Sequence, residues 1–279
     1  MRIDLHTHTA LSDGADTPTE LIDAALRAGL DVVALTDHDT TAGWAEAAVA
    51  VRGSGLALVR GTEVSTRAEG ISVHVLSYLH DPDDPGMAAM LASSRSARQL
   101  RARAMAELLG RDFPITWADV VAQAGDPDTV GRPHMADALV AAGVVTDRTE
   151  AFDRFLYSDG PYHVPIEVPD PRIAVGIIRA AGGVPVMAHP RAVKRGRSLS
   201  AEVIEEMVEE GLFALEADHR DHDDAARREV RSLAERWGIH VTGSSDYHGS
   251  GKLNRLGENL TAPDVFDALV AEGCLEVIR

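Results

Sequence analysis

Short apolar runs and amphipathic stretches alternate along most of the chain. "RIDLH" (2–6) reads as a strand, and "TPTELIDAALRAGL" (17–30) as a helix with Pro18 near its start and Gly29 near its end. "DVVALTD" (31–37) is a second strand and "TAGWAEAAVAVRGSG" (41–55) a second helix. Two strands follow, "LALVRGTEVS" (56–65) and "GISVHVLSYL" (70–79). The alternation resumes late, with helices over 171–181, 200–210, 223–237 and 263–272, and strands over 184–188, 212–217, 239–243 and 274–278. Strands separated by helices pair in parallel through right-handed crossovers. The pattern therefore predicts an α/β fold whose strand number suits a barrel.

Between 81 and 165 the alternation stops. "HDPDDPG" opens this region and "SDGPYHVPIEVPDP" closes it, both rich in residues that punctuate structure. Inside lie "MAAMLASSRSARQLRARAMAELLG", "TWADVVAQAG" and "RPHMADALVAAG", all helical in period. Residues 1–80 and 166–279 are accordingly expected to form the barrel, and 81–165 a small helical insertion capping its active site. The strand carrying His74 is where that insertion would leave the barrel.

Composition narrows the chemistry. Forty-four Asp and Glu against 27 Lys and Arg give a formal charge of −17, which repels long duplex nucleic acid. The single cysteine, Cys274, excludes an internal disulfide and a multi-cysteine metal knuckle, and favours a reducing, cytoplasmic setting. No apolar run approaches the roughly 20 residues of a membrane span, and no secretory h-region opens the chain. Sequence assigns no oligomeric state.

Polar, metal-competent side chains recur where strands end. His6 and His8 end the first strand, Asp37 and His38 the second and Glu63 the third, while His74 lies in the fourth. His189 follows "GVPVMA", Glu216 ends "GLFALE", and Asp246 and His248 follow "IHVTGSS". The C-terminal edge of the strands is where barrel enzymes build their sites. One histidine in an apolar strand is ordinarily a satisfied core residue, and Asp at a strand end a helix cap. Neither reading explains such groups at nearly every strand end, because burying them unpaired would leave desolvated carboxylates and imidazoles. Imidazole and carboxylate without thiolate suit Zn, Mn or Fe, and the donors are too many for one ion. The chain lacks a G-x-x-x-x-G-K-[ST] loop, a G-x-S-x-G elbow and an H-E-x-x-H helix.

"DLHTHTALSDG", "LTDHD", "GTEVS", "VHVLSY", "MAHP" and "GSSDYHG" resemble, in order, the motifs of the PHP (polymerase and histidinol phosphatase) phosphoesterases, in particular the stand-alone branch acting on nucleotides. The resemblance runs from residue 3 to about 250. It implies a distorted (β/α)7 barrel holding two to three divalent ions (Mn, Fe or Zn) at its C-terminal face. It places His6, His8 and Asp246 on a first metal, Glu63 as a bridge to a second completed by His74 and His189, and Asp13, His38 and His248 on a third. Asp37 stays outside these sets, as an orienting residue or helix cap.

"GRPHM" (131–135) reads on its own as a helix start, with Pro133 in the first turn. By resemblance, Arg132 and His134 bind the substrate phosphate, a role suited to a planar bidentate donor. Arg191 and His222 are further candidate substrate contacts. His219 and His222 lie in a polar loop, "EADHRDHDD", that either meets substrate or is solvated. Arg95, Arg98, Arg101 and Arg103 form either a solvated face or a local basic patch for a short oligonucleotide.

The expected function is metal-assisted hydrolysis of terminal phosphomonoesters of nucleotides, on a small phosphorylated nucleotide or short oligonucleotide. Nucleoside 3',5'-bisphosphates, or the 5' end of short RNA or DNA, are the expected substrates. A histidinol-phosphate-type phosphatase, a non-catalytic nucleotide- and metal-binding module and an amidohydrolase are the competing readings.

Overall fold

The computed structural model describes residues 1–125, 127–157, 160–192 and 197–279. Ser158 and Asp159, the start of the stretch expected to close the insertion, lie outside the described residues. Two compact units are present, residues 1–92 with 168–279, and residues 93–167.

In the first unit seven strands form one sheet in sequence order: β1 (Ile3–Asp4), β2 (Val32–Leu35), β3 (Ala57–Ala68), β4 (Ile71–Tyr78), β5 (Val184–Met187), β6 (Ala214–Asp218) and β7 (His240–Gly243). A parallel bridge between Thr7 and Tyr247 links the segments after β1 and β7, so the sheet curls into a nearly closed barrel. The α/β barrel expected from the alternation is therefore present. Its order is broken in one place. The pairs β1–β2, β2–β3, β5–β6 and β6–β7 are parallel, whereas β4 runs antiparallel to both neighbours. The cause is local: only Glu69 and Gly70 separate β3 from β4, both at positive φ (51° and 77°). That is a two-residue hairpin turn, and a parallel return needs a crossover of a dozen or more residues.

Capping explains where the barrel helices begin. α1 (Pro18–Arg27) opens with Thr17 and Glu20 bonding reciprocally to each other's backbone N–H, and with Pro18 in its first turn. α7 (Pro171–Ala180), α8 (Ala201–Glu209) and α9 (Asp224–Trp237) are capped by the Asp170, Ser200 and Asp223 side chains. α2 (Trp44–Val51) follows β2, and α10 (Pro263–Glu272) follows β7. Ile3, Val32, Val59, Tyr78, Val186, Ala214 and Phe266 belong to one buried cluster, joining six strands to α10. Each large member of that cluster stabilises the fold by about 2 kcal/mol through burial. Of the strand expected over 274–278, the described residues show one antiparallel bridge, between Ile278 and Leu58.

α3 (Pro85–Asp112) starts in the first unit, where Met87, Met90 and Leu91 pack with Val64 and Ile178. The helices of the second unit include α4 (Trp117–Ala124), α5 (Arg132–Ala141) and α6 (Arg148–Ala151) around Met105, Leu109, Val120, Leu139 and Leu156. Among the described residues no helix is long and apolar enough to cross a membrane.

Candidate active site

Register places the polar residues at one level of the barrel. His38 bridges to Glu63, and Thr7, between the two first histidines, bridges to Tyr247, between Asp246 and His248. His74 comes from the N-terminal half of its strand. Because β4 runs backwards, that half lies at the same edge, and the Ala188 N–H donates to the His74 carbonyl (3.1 Å) one residue before His189. Strand-end logic alone would have missed it.

Five imidazoles converge on Glu63, which is 1% exposed. Oε1 lies 2.7 Å from His74 Nδ1 and 3.1 Å from His189 Nε2. Oε2 lies 3.2 Å from His8 Nε2 and His38 Nδ1, and 3.3 Å from His6 Nε2. Asp246 Oδ1 is 3.3 Å from His8 Nε2 and 3.5 Å from His6 Nε2 and His248 Nδ1. Two of these residues sit in strained backbone: His189 and Asp246 have φ of 32° and 53°. Such conformations cost about 1–3 kcal/mol each and persist where surrounding contacts enforce them.

Asp13 reaches the cluster because the loop after β1 folds back. Its Oδ1 is 3.1 Å from His248 Nε2 and 3.8 Å from His8 Nδ1, and Oδ2 is 3.9 Å from His38 Nε2. Gly14 permits the fold-back: a Cβ there would sit 2.6 Å from the His8 carbonyl oxygen. Asp37 holds the same loop, accepting from the Thr9 N–H (2.7 Å), the Thr9 hydroxyl (2.6 Å) and the Ser12 hydroxyl (2.6 Å). Its carboxylate is thus an anchor for the segment that carries Asp13.

Proximity alone gathers four overlapping groups: His6, His8 and Asp246; His6, Glu63 and His189; His8, His38 and Glu63; His8, Asp13 and His248. The first is the set that the resemblance gives to one metal. In the others His6 and His8 border positions that the resemblance assigns to His74 and His38. The donor set fits hard to borderline divalent ions, being imidazole and carboxylate throughout. Asp13 Oδ1 and His248 Nε2 add a second sign: they are buried and close, yet neither has a hydrogen-bond partner among the described residues. Two buried donor atoms 3.1 Å apart with no such partner are placed as ligands of one cation would be.

Electrostatics point the same way. Burial favours the neutral carboxyl of Glu63, but His74, His38 and His6 outweigh it and hold the group well below the usual range. Asp13 and Asp246 are likewise held low against burial, Asp13 chiefly by His248 and His38, and Asp246 chiefly by Lys252 and His248. Burial pulls His8 down, but Asp246 and Glu63 override it and raise its pKa to about 9. The pocket therefore prefers positive charge, supplied by protons or by metal.

Three residues have functions that sequence patterning did not assign. Glu216, fully buried, accepts from His6 Nδ1 (3.1 Å), the His189 N–H (2.8 Å) and the Ser244 hydroxyl, and so fixes the ring of one candidate ligand and the backbone of another. His219, 1% exposed, faces Asp246 Oδ2 at 3.5 Å. Lys252 Nζ lies 3.2 Å from the same oxygen. The strand-end position of Glu216 and the polar loop carrying His219 were usable signals for the first two; the loop lysine carried none.

The expected substrate contacts each bond within the chain. His222 donates from Nδ1 to the Ala217 carbonyl (2.9 Å) and accepts at Nε2 from the Arg191 N–H (3.1 Å), so both ring nitrogens serve the backbone. The Arg191 guanidinium bonds Glu229 (2.8 Å) and the Leu199 carbonyl (3.1 Å). Both residues thus brace the segment following His189. In the helical unit, Arg132 donates to the Leu156 carbonyl (3.3 Å), and His134 Nδ1 accepts from the Gly131 N–H (3.0 Å) at the start of α5.

Comparison with known proteins agrees with this geometry. The family model described as PHP domain matches residues 4–113. A 3',5'-nucleoside bisphosphate phosphatase of Chromobacterium violaceum is 35% identical, across 91% of this chain and 89% of that protein. A 5'-3' exoribonuclease of Haemophilus influenzae is 32% identical, across 96% and 97%. A solved structure described as a metal-dependent phosphoesterase from Bifidobacterium adolescentis superposes with a TM-score of 0.93 at 43% identity, covering 97% of this chain and 96% of that one. The chain thus belongs to the PHP family, and it is a hydrolytic, metal-dependent phosphoesterase.

Proposed function

We propose that the protein hydrolyses terminal phosphomonoesters of nucleotides, acting on nucleoside 3',5'-bisphosphates or on the 5' end of short oligonucleotides. The observation that carries this reading is the convergence of five imidazoles on Glu63 beside Asp246. His6, His8, Asp13, His38, Glu63, His74, His189, Asp246 and His248 are proposed to hold two to three ions of Mn, Fe or Zn. Such ions supply a water activated near neutral pH and positive charge opposite the phosphoryl oxygens.

The chain's own residues do the rest. Glu216 keeps the His6 ring turned so that Nε2 faces the cluster. Asp37 keeps the Asp13 loop folded. Arg132 and His134 are proposed to take the substrate phosphate through N–H donors, while Arg191 and His222 maintain the segment behind His189. A reducing, cytoplasmic setting, read from the single cysteine, is consistent with a nucleotide substrate. The complete donor set argues against a non-catalytic module, and the central position of Glu63, with no lysine there among the described residues, argues against an amidohydrolase.

A phosphate-release panel tests the reading. In the presence of Mn, adenosine 3',5'-bisphosphate should release phosphate, and 5'-phosphorylated oligonucleotides, trimmed in the 5' to 3' direction, should release 5'-mononucleotides. Turnover confined to histidinol phosphate, or to amides, would replace it. Arg132→Ala should raise KM about tenfold with a smaller change in kcat, the cost of one charge-assisted contact; unchanged kinetics would return Arg132 to a structural role.

A further inference from the structure

Asp246 has two sides. Oδ1 faces His6, His8 and His248, whereas Oδ2 faces the Lys252 ammonium at 3.2 Å and His219 Nε2 at 3.5 Å. The two donors differ in access. His219 is buried and its ring is held by the Asp221 N–H donating to Nδ1 (3.0 Å), which leaves Nε2 as the nitrogen on the Asp246 side, 3.5 Å from Oδ2. The Lys252 side chain is 38% exposed, far more than the site groups it adjoins.

An ammonium has three donors, and among the described residues Asp246 is the only hydrogen-bond partner of Lys252. The chain just after it is tied down twice: the Asn254 amide donates to the Ser245 carbonyl (2.7 Å), and the Gly257 N–H donates to Asp4 (2.8 Å). The ammonium is therefore a fixed cation at the border between the ligand cluster and solvent. The chain uses lysine only at 194 and 252 among its 27 basic residues, so a compact ammonium here stands out against an arginine-dominated background.

We propose that Lys252 is a substrate-binding residue that receives a phosphoryl oxygen while still bonded to Asp246, and that His219 is a positioning residue that keeps Oδ2 oriented as Lys252 takes up this second acceptor. The ligand class is a phosphate monoester or inorganic phosphate. The proposal rests on the phosphoesterase reading, and it places a cation for the substrate within the barrel unit itself.

The test is calorimetric titration of the Mn-loaded protein with inorganic phosphate, with Mn content per chain measured in parallel. Lys252→Met, which keeps the length of the side chain and removes its charge, should weaken phosphate binding about tenfold at unchanged Mn content. Lys252→Arg should retain most of the affinity. The same Met variant should raise KM for adenosine 3',5'-bisphosphate more than it lowers kcat. Phosphate affinity equal to that of the unaltered protein would overturn the proposal, as would a loss of Mn in step with the loss of phosphate, which would make Lys252 only the counter-charge of Asp246. If the unaltered protein releases no phosphate from nucleotides but Lys252→Met still weakens phosphate binding, the substrate reading fails and the anion site stands.

Discussion

Two kinds of buried histidine occupy the barrel unit. His8 is fully buried among Glu63, Asp246 and Asp13, and its pKa rises to about 9. His80 is equally buried, but it packs on Trp44 (ring centroids 5.0 Å apart) and bonds the Ser77 hydroxyl (2.8 Å), and its pKa falls to about 4. Burial penalises the charge in both. The carboxylates beside His8 reverse the sign, whereas at His80 burial outweighs Asp81 and Asp84, which Arg60 opposes. A buried histidine is thus a candidate ligand when carboxylates converge on it, and a packing residue when they do not.

The pH consequences are opposite. In the metal-free protein, His8 favours the folded state fully below the unfolded value near 6.5, and this contribution is lost as pH rises through about 9. For His80 the folded value is depressed, so the unfolded chain takes up the proton first and stability is lost as pH falls from 6.5 toward about 4.

The most damaging way to break the contrast is to remove its central anion. Glu63→Gln should lower kcat/KM by more than about 100-fold, and histidine NMR titration should show the His8 pKa falling from about 9. A His8 titration that stays put would mean Glu63 is not what organises the cluster. Glu216→Gln acts one step further out. It should weaken metal affinity about 10- to 100-fold in a chelator competition while the far-ultraviolet circular dichroism stays native; unaltered affinity would reduce Glu216 to a packing role. The smallest effect belongs to the other histidine. His80→Gln should leave metal content and turnover unchanged and flatten the acid limb of stability between pH 6.5 and 4, by at most about 3 kcal/mol in urea melts. An acid limb as steep as before would show that His80 is not the group titrating there.

Much of this was legible in the sequence because its causes are local. Pro18, Thr17 and Glu20 announce α1, and apolar runs of four to eight residues announce the strands. The recurrence of His, Asp and Glu at strand ends pointed to a metal-competent edge, since a barrel brings those ends together, and the resemblance to a family supplied the ligand sets, Asp13 among them. What escaped the sequence depends on long-range geometry. The reversal of β4 is signalled only by the two-residue turn at Glu69 and Gly70. Glu216 and His6 lie 210 positions apart, and only the closed barrel brings them to 3.1 Å. His222 was placed only in a polar loop, and the backbone partners of its two ring nitrogens are long-range contacts that no pattern reveals.

The central claim is that the convergent histidines and carboxylates form a multi-metal centre. Elemental analysis of the purified protein, before and after Mn loading, tests it directly. More than one equivalent of divalent metal per chain, lost in Glu63→Gln, is the expected result. A correctly folded protein that binds no divalent metal would contradict it.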